Sequence, residues 1–362
     1  MSLAVVLHIT KEPMRIAQVA PLFEAVPPQL YGGTERVVSH LTEELVRRGH
    51  DVTLFASGDS RTAATLVPVV PRAMRLGSAN RDLMLVDLIR ELDLAFARAG
   101  DFDVIHCHVD YLAFPFGSLV GTPTVHTLHG RQDLEFQPAL YRHFARTSLI
   151  SISDAQREPL RDLDLAWAGT VYHGLPLEGY PYASQDRGYL AFLGRIAPEK
   201  QPDVAIEIAR RAGVPLKIAA KVDAVDREYF ERVVAPLLDD PLVEFIGEIG
   251  EADKAAFLGG ARALLFPIDW PEPFGLVMIE AMACGTPVIA RPCGSVPEIV
   301  VPGRTGFVGE TLIEMTDAVK RLDEIDRADC RQHVESYFTV SHMADGYEKV
   351  YRRLVGALRR AA

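Results

Sequence analysis

A chain of 362 residues exceeds one ordinary hydrophobic core, since domains run to about 100–200 residues, and two domains are expected. Its 48% hydrophobic and 24% charged residues fit a soluble globular protein, and a formal net charge of −11 argues against a nucleic-acid partner or strong adsorption to an anionic membrane. Four cysteines without C-x-x-C spacing, Cys107, Cys284, Cys293 and Cys330, exclude a disulfide scaffold and point to a reducing cytosol.

The opening "MSLAVVLHITKEP" has a short apolar run and no basic lead, so it is not a convincing signal peptide. No apolar run approaches the ~20 residues of a membrane span. Met14 precedes the strand-like "RIAQVAPL", and the sequence leaves open whether residues 1–13 belong to the fold or extend ahead of it. "DVTLFAS", "FDVIHCHV", "TPTVHTLH", "TSLISIS" and "TVYHGL" follow as further buried strands, rich in Val, Ile and Leu. Helical patterns separate them, clearest in "TERVVSHLTEELVRRG", with Thr34 expected as N-cap and Gly49 as C-terminal stop. A polar linker, "PLEGYPYASQDRG", interrupts the alternation. It restarts with the strands "GYLAFLGRI", "PLKIAAKV", "VEFIGEI", "ARALLFPI", "TPVIA" and "GFVG", separated by helical stretches such as "KQPDVAIEIARRAG" and "DREYFERVVAPLL".

Such alternation means βαβ units and parallel sheets. Two doubly wound α/β domains are therefore expected. The first spans 1–183, the second spans 184–340, and the helix at about 341–362 is long enough to pack back on the first. Ligands of such sheets bind outside the carboxyl ends of the strands, so two facing domains make one cleft.

The chemistry-bearing residues sit just after strands. In "YGGTERVV", Gly32 and Gly33 precede a helix start, where backbone N–H groups can approach an anion; an ordinary turn is the plain alternative. In "LGRIAPEK", Gly194 and Arg195 end a strand and Lys200 follows, two cations suited to a diphosphate or simply a solvated basic loop. In "WPEPFGLVMIEAMACG", the N–H groups of Phe274, Gly275 and Leu276 open a helix, Glu272 lies at its mouth and Glu280 about two turns deeper among Ile279, Ala281 and Met282. Gly275 weakens a helix by roughly 1 kcal/mol against Ala, which points to close approach of a ligand. A carboxylate in Glu280's setting needs compensation, by a ribose-like diol or by a neighbouring Arg or backbone amide. "HCH" at 106–108 invites a zinc site, but no second cysteine or acid completes a set, and no D-x-D triplet or His/Asp cluster reads as a convincing metal site, so no metal is expected.

Glu272 and Glu280, with seven residues between them in E-P-F-G-L-x-x-x-E-A-M-A-x-G-x-P-V, resemble the signature of retaining glycosyltransferases of family 4. "GGTE", "HTLHG" at 126–130, "ISISDAQR" at 150–157, "YHGL" at 172–175, "GRIAPEK" and "PCGSVPEIV" at 292–300 agree in order, and the resemblance covers residues 14–355. Cys293 departs from it, standing where a glycine is more usual.

The resemblance implies a GT-B fold, two Rossmann-like domains with the nucleotide-sugar in the second and the acceptor mainly on the first. It implies that Arg195 and Lys200 hold the donor diphosphate, that Glu280 binds the ribose hydroxyls, and that Glu272 with the N–H groups of Phe274, Gly275 and Leu276 positions the sugar. His129 would touch that sugar near C1, with a backbone-satisfied core histidine as the plain alternative. Asp110, His108, Glu35 and Arg36 are acceptor-side candidates. Retention by front-face substitution is expected, because no carboxylate is clearly placed as a nucleophile. UDP-glucose is the first expected donor and GDP-mannose the second; "YGGTERVVSHLTEELVRRGHDVTLFASGDS" also resembles members proposed to glucosylate a pterin. The acceptor, whether sugar, lipid-linked or small molecule, is not readable. No cofactor is expected, and the cytoplasm, with at most peripheral contact at the inner face of the membrane, is the expected location. The rival readings are a sugar-nucleotide 2-epimerase, a phosphorylase and a non-catalytic sugar-nucleotide binder.

Overall fold

A computed structural model describes residues 12–30, 32–75 and 81–361; residues 1–11, most of the open question at the N-terminus, lie outside the described part. Seven short strands build the first sheet: β1 (Arg15–Val19), β2 (Asp51–Ala56), β3 (Thr65–Pro68), β4 (Val104–Cys107), β5 (Thr124–Thr127), β6 (Leu149–Ser151) and β7 (Trp167–Thr170). Their order is β3-β2-β1-β4-β5-β6-β7, every pair parallel. The second sheet contains β8 (Tyr189–Ile196), β9 (Leu216–Val222), β10 (Val243–Gly247), β11 (Ala261–Phe266), β12 (Val288–Ala290) and β13 (Gly306–Val308), ordered β10-β9-β8-β11-β12-β13 and also parallel. The strand order reverses between β1 and β4 and again between β8 and β11, so each sheet has a switch point where a crevice opens.

Sequence and structure differ at particular elements. The edge strand β3 escapes periodicity because it is four residues long, partly exposed, and ends on Pro68. The strand expected over 170–175 is centred instead on Trp167–Thr170, and Tyr172 and His173 have already left the sheet. Thr34 is not an N-cap: the helix is Gly33–Arg47 and Gly32 caps it without a side-chain hydrogen bond. Over 227–237 a single α turn passes into a π turn and then a 3₁₀ turn, the last containing Pro236, which has no N–H for a regular ladder.

The C-terminal helix, Val340–Ala361, leaves the second sheet and returns to the first. Met343, Ala344, Tyr347, Val350 and Tyr351, at helical spacing, are buried with Ile16, Val37, Leu41, Val104 and Val125. The outgoing and returning crossovers run side by side: Leu175 N–H donates to Phe338 O (2.8 Å) and Val340 N–H to Leu175 O (3.0 Å). Only glycine fits at 174, where a Cβ would lie 2.1 Å from Thr339 O. No helix among the described residues is long and apolar enough to cross a membrane.

Candidate active site

The carboxyl ends of the two sheets face a cleft of about 750 Å³. One wall carries Gly32, Gly33, Glu35, Arg36 and His129; the other carries Gly194, Arg195, Lys200, Glu272, Phe274, Gly275, Leu276 and Glu280. The structure thus brings together every expected site residue except His108 and Asp110.

Glu272 is anchored from three directions. Ser295 N–H donates to Glu272 O (2.9 Å) and its hydroxyl to Phe274 O (2.8 Å), while Ser153, from the other domain, donates to Pro273 O (2.6 Å). Trp270 Nε1–H donates to Glu272 Oε2 (3.0 Å), and Lys200 forms an ion pair with that same oxygen. The Lys200 ammonium also lies 4.6 Å from the Trp270 ring centroid. Gly275 is explained by its backbone: it caps the helix Leu276–Ala283 at φ +77°, a left-handed conformation that suits glycine. Helix geometry leaves the N–H groups of Leu276 and Val277 without an intrahelical acceptor.

The two expected phosphate ligands are not bare cations. Lys200 is paired with Glu272, and Arg195 is paired with Glu199, with Asp226 at 3.6 Å and Asp223 at 3.9 Å. An incoming anion must compete with those carboxylates.

Glu280, 3% exposed, is compensated by side chains that the sequence reading did not single out. Its Oε1 accepts from Lys254 Nζ (2.8 Å), and Tyr180 OH lies 3.1 Å from it. Lys254 also pairs with Glu251 (2.9 Å), which pairs with Arg36 (2.6 Å) from the facing domain. Burial works against the charge on Glu251, yet Lys254 and Arg36 hold it below the ordinary carboxylate range. Arg36 is therefore engaged in an interdomain ion pair rather than free on the acceptor side. Glu35 is buried, accepts the Glu24 N–H (3.3 Å), and is pushed upward by that burial.

Asp110 and His108 lie behind His129 instead of facing the cleft. Asp110 accepts the His129 backbone N–H (3.2 Å), and burial pushes its carboxyl up to about 6. His108 Nδ1 is 2.9 Å from His129 Nε2, and His108 Nε2 is 2.7 Å from Gln18 Oε1. Gln18 then donates to Tyr351 OH (3.3 Å), which meets His106 Nδ1 (2.6 Å), and His106 Nε2 meets Thr127 Oγ1 (2.7 Å). With Gln18 oxygen as acceptor, His108 carries its hydrogen on Nε2. It therefore receives one from His129 Nε2, leaving His129 Nδ1 bare. Burial pushes His129 down to about 3 and holds His106 and His108 well below their ordinary value. The "HCH" stretch thus belongs to a buried hydrogen-bond chain. Among the described residues no group of three His, Cys, Asp or Glu is arranged to hold a metal ion.

Trp270, Lys254 and His173 are among the cleft residues that sequence reasoning missed. Trp270 and His173 stand inside quoted motifs, so their signal was adjacency; Lys254 had none beyond an i,i+3 partner in Glu251.

Residues 31–178 match the model of the family described as Glycosyltransferase Family 4, and residues 182–333 match that described as Glycosyl transferases group 1. A D-inositol 3-phosphate glycosyltransferase of Mycolicibacterium smegmatis is 27% identical over 91% of this chain and 88% of its own. A sucrose-phosphate synthase from Thermosynechococcus elongatus superposes with a TM-score of 0.77 at 20% identity, over 95% of this chain and 99% of that one. Anabaena HepE, solved in complex with UDP-glucose, superposes with a TM-score of 0.70 at 16% identity, over 95% and 100% of the two chains.

Proposed function

This chain belongs to the group 1, family 4 glycosyltransferases of GT-B fold, and from that premise we propose that it moves a hexose from a nucleotide-sugar donor to an acceptor hydroxyl, with retention at C1 and without a metal. The observation that carries the reading is the convergence on one cleft wall of Arg195, Lys200, Glu272 and the start of the Leu276 helix, with His129 opposite. UDP-glucose is the first donor proposed, supported by its presence in the complex of a protein of the same fold, and a GDP-linked sugar the second.

Cleaving the bond from C1 to phosphate leaves negative charge on the nucleoside diphosphate, and stabilising that charge is the main catalytic task. Arg195, Lys200 and the N–H groups of Leu276 and Val277, aligned with a helix dipole, can supply it. Donor binding then exchanges partners. The diphosphate draws Lys200 from Glu272, and the freed carboxylate accepts a sugar hydroxyl while Trp270 keeps its orientation. Glu280, steadied by Lys254, takes the ribose diol. His129 Nδ1, held bare by His108, accepts a hydroxyl of the transferred sugar. The acceptor oxygen bonds to C1 on the face from which phosphate departs, and its proton passes to the departing phosphate oxygen.

The test is a panel of nucleotide sugars, screened by thermal shift and by release of nucleoside diphosphate without added metal. Lys200→Ala should keep its melting temperature and lose on the order of 10²–10³ in kcat/KM. Near-normal rates in that variant, or conversion of the donor to its 2-epimer without transfer, would overturn the reading.

A further inference from the structure

A buried histidine normally spends its nitrogens on hydrogen bonds. His106 and His108 do so at both positions. His173 does not. It is 4% exposed and lines the cleft, yet its Nδ1 is sealed from solvent without a partner. Among the described residues its Nε2 has none either. The ring is held by packing alone, stacked on His129 with centroids 5.4 Å apart at 17°, and tilted against Phe274 at 4.8 Å. Burial keeps the imidazole neutral, with His129 and His40 adding to the same effect.

A neutral imidazole carries one hydrogen. Placed on Nδ1, it would be a buried donor with nothing to meet. On Nε2, the nitrogen not sealed off, it can be hydrated in the empty cleft and offered to a ligand. The two rings that clamp His173 belong to opposite walls. His129 follows β5 of the first domain by two residues, and Phe274 directly precedes the cap of the Leu276 helix in the second.

We propose that His173 is a catalytic residue of the transfer, donating Nε2–H to the phosphate oxygen that departs from C1. This rests on the reading that the diphosphate sits at the start of the Leu276 helix. The C1–oxygen bond breaks with its electron pair on that phosphate oxygen, the attacking hydroxyl oxygen bonds to C1, and its proton goes to the phosphate. His173 keeps its own hydrogen throughout and only shares it. A donor without a protein partner that meets the phosphate oxygen as charge develops on it is an interaction that strengthens in the transition state. It also accounts for a polar ring retained at a position that packing alone would give to phenylalanine.

The experiment measures UDP release from UDP-glucose, with water as acceptor, in the full chain and in His173→Phe. The expected result is a melting temperature equal to or above that of the parent, UDP affinity within threefold, and kcat lower by about 10²–10³ with KM unchanged. His173→Gln, which keeps an N–H of similar reach, should recover part of the loss. A kcat within threefold of the parent, or a loss confined to KM, would overturn the proposal. If the Phe variant does not fold, His173→Ala is read by the same criteria. Lys200→Ala in the same assay separates the two levels. Unchanged UDP affinity and rate there would sink the diphosphate reading itself; a large loss there beside a normal His173→Phe would sink only the role of His173.

Discussion

Glu91 occupies the opposite situation from Glu272 and Glu280. Those two carboxylates have a lysine each. Glu91 is 0% exposed, neither of its oxygens has a hydrogen-bond partner, and it lies near enough to the buried Cys107 to add to burial in pushing that thiol up. Burial alone pushes its carboxyl well above the ordinary value of 4.5. The unfolded chain releases this proton near pH 4.5 and the folded chain keeps it, so stability falls as pH rises above that value. Glu91→Gln removes the ionisation and little volume. It should raise stability by roughly 1–3 kcal/mol at pH 8, with the gain shrinking towards zero near pH 4.5. Thermal unfolding across that pH range reads the difference; a gain that is the same at both ends would show that ionisation is not the cause.

At the scale of elements, the C-terminal helix does more than cover the first sheet. Tyr351 joins Gln18 to His106, and Tyr347 OH accepts from Thr127 (3.2 Å), so two tyrosines from the end of the chain close the hydrogen-bond chain that reaches His129. Tyr351→Phe should cost about 1–2 kcal/mol, because it strips partners from a buried imidazole and a buried amide. It should also lower turnover several-fold with KM little changed, since His129 loses part of its orientation; an unchanged kcat would confine the helix to packing. This helix was legible in the sequence because its apolar residues recur at helical spacing, and the buried strands were legible as Val, Ile and Leu runs. The convergence of Arg195, Lys200 and Glu272 was legible because strand ends collect ligands. What stayed hidden has a common cause. β3 is too short and exposed to carry a period, the break at Pro236 turns on ladder geometry, and the pairing of Arg36 with Glu251 or Glu280 with Lys254 joins residues whose separation leaves no local pattern. The placement of His108 and Asp110 behind His129 is of the same kind: only packing decides which face of a strand end reaches the cleft.

At the scale of the whole molecule, two kinds of contact join the domains, and they respond differently to salt. One kind lies beside the crossovers. Glu298 accepts the N–H groups of Asp154 (2.8 Å) and Ala155 (2.7 Å) and the hydroxyl of Tyr172 (2.9 Å), close in sequence to Gly174 and the paired crossovers. These are short, directional, backbone-anchored bonds, and they make a natural pivot. The other kind is charge across the cleft: Arg36 with Glu251 at 2.6 Å and Arg75 with Glu248 at 3.6 Å. The side chains of Glu251 and Glu248 are 41% and 29% exposed, so ions reach both pairs. Pairs of this sort contribute about 0–1 kcal/mol each, and the Debye length falls from about 10 Å at 0.1 M to about 3 Å at 1 M salt. Together they bias closure by up to about 2 kcal/mol, roughly a thirtyfold change in population. Salt should therefore open the cleft about the Glu298 pivot without unfolding either sheet. Small-angle scattering of the ligand-free chain should show the radius of gyration rising between 0.05 and 1 M salt, with a smaller rise in Arg36→Gln, which is already short of one pair. An unchanged radius, or an equal rise in the variant, would mean that the crossovers and packing, not these charges, set the closed state.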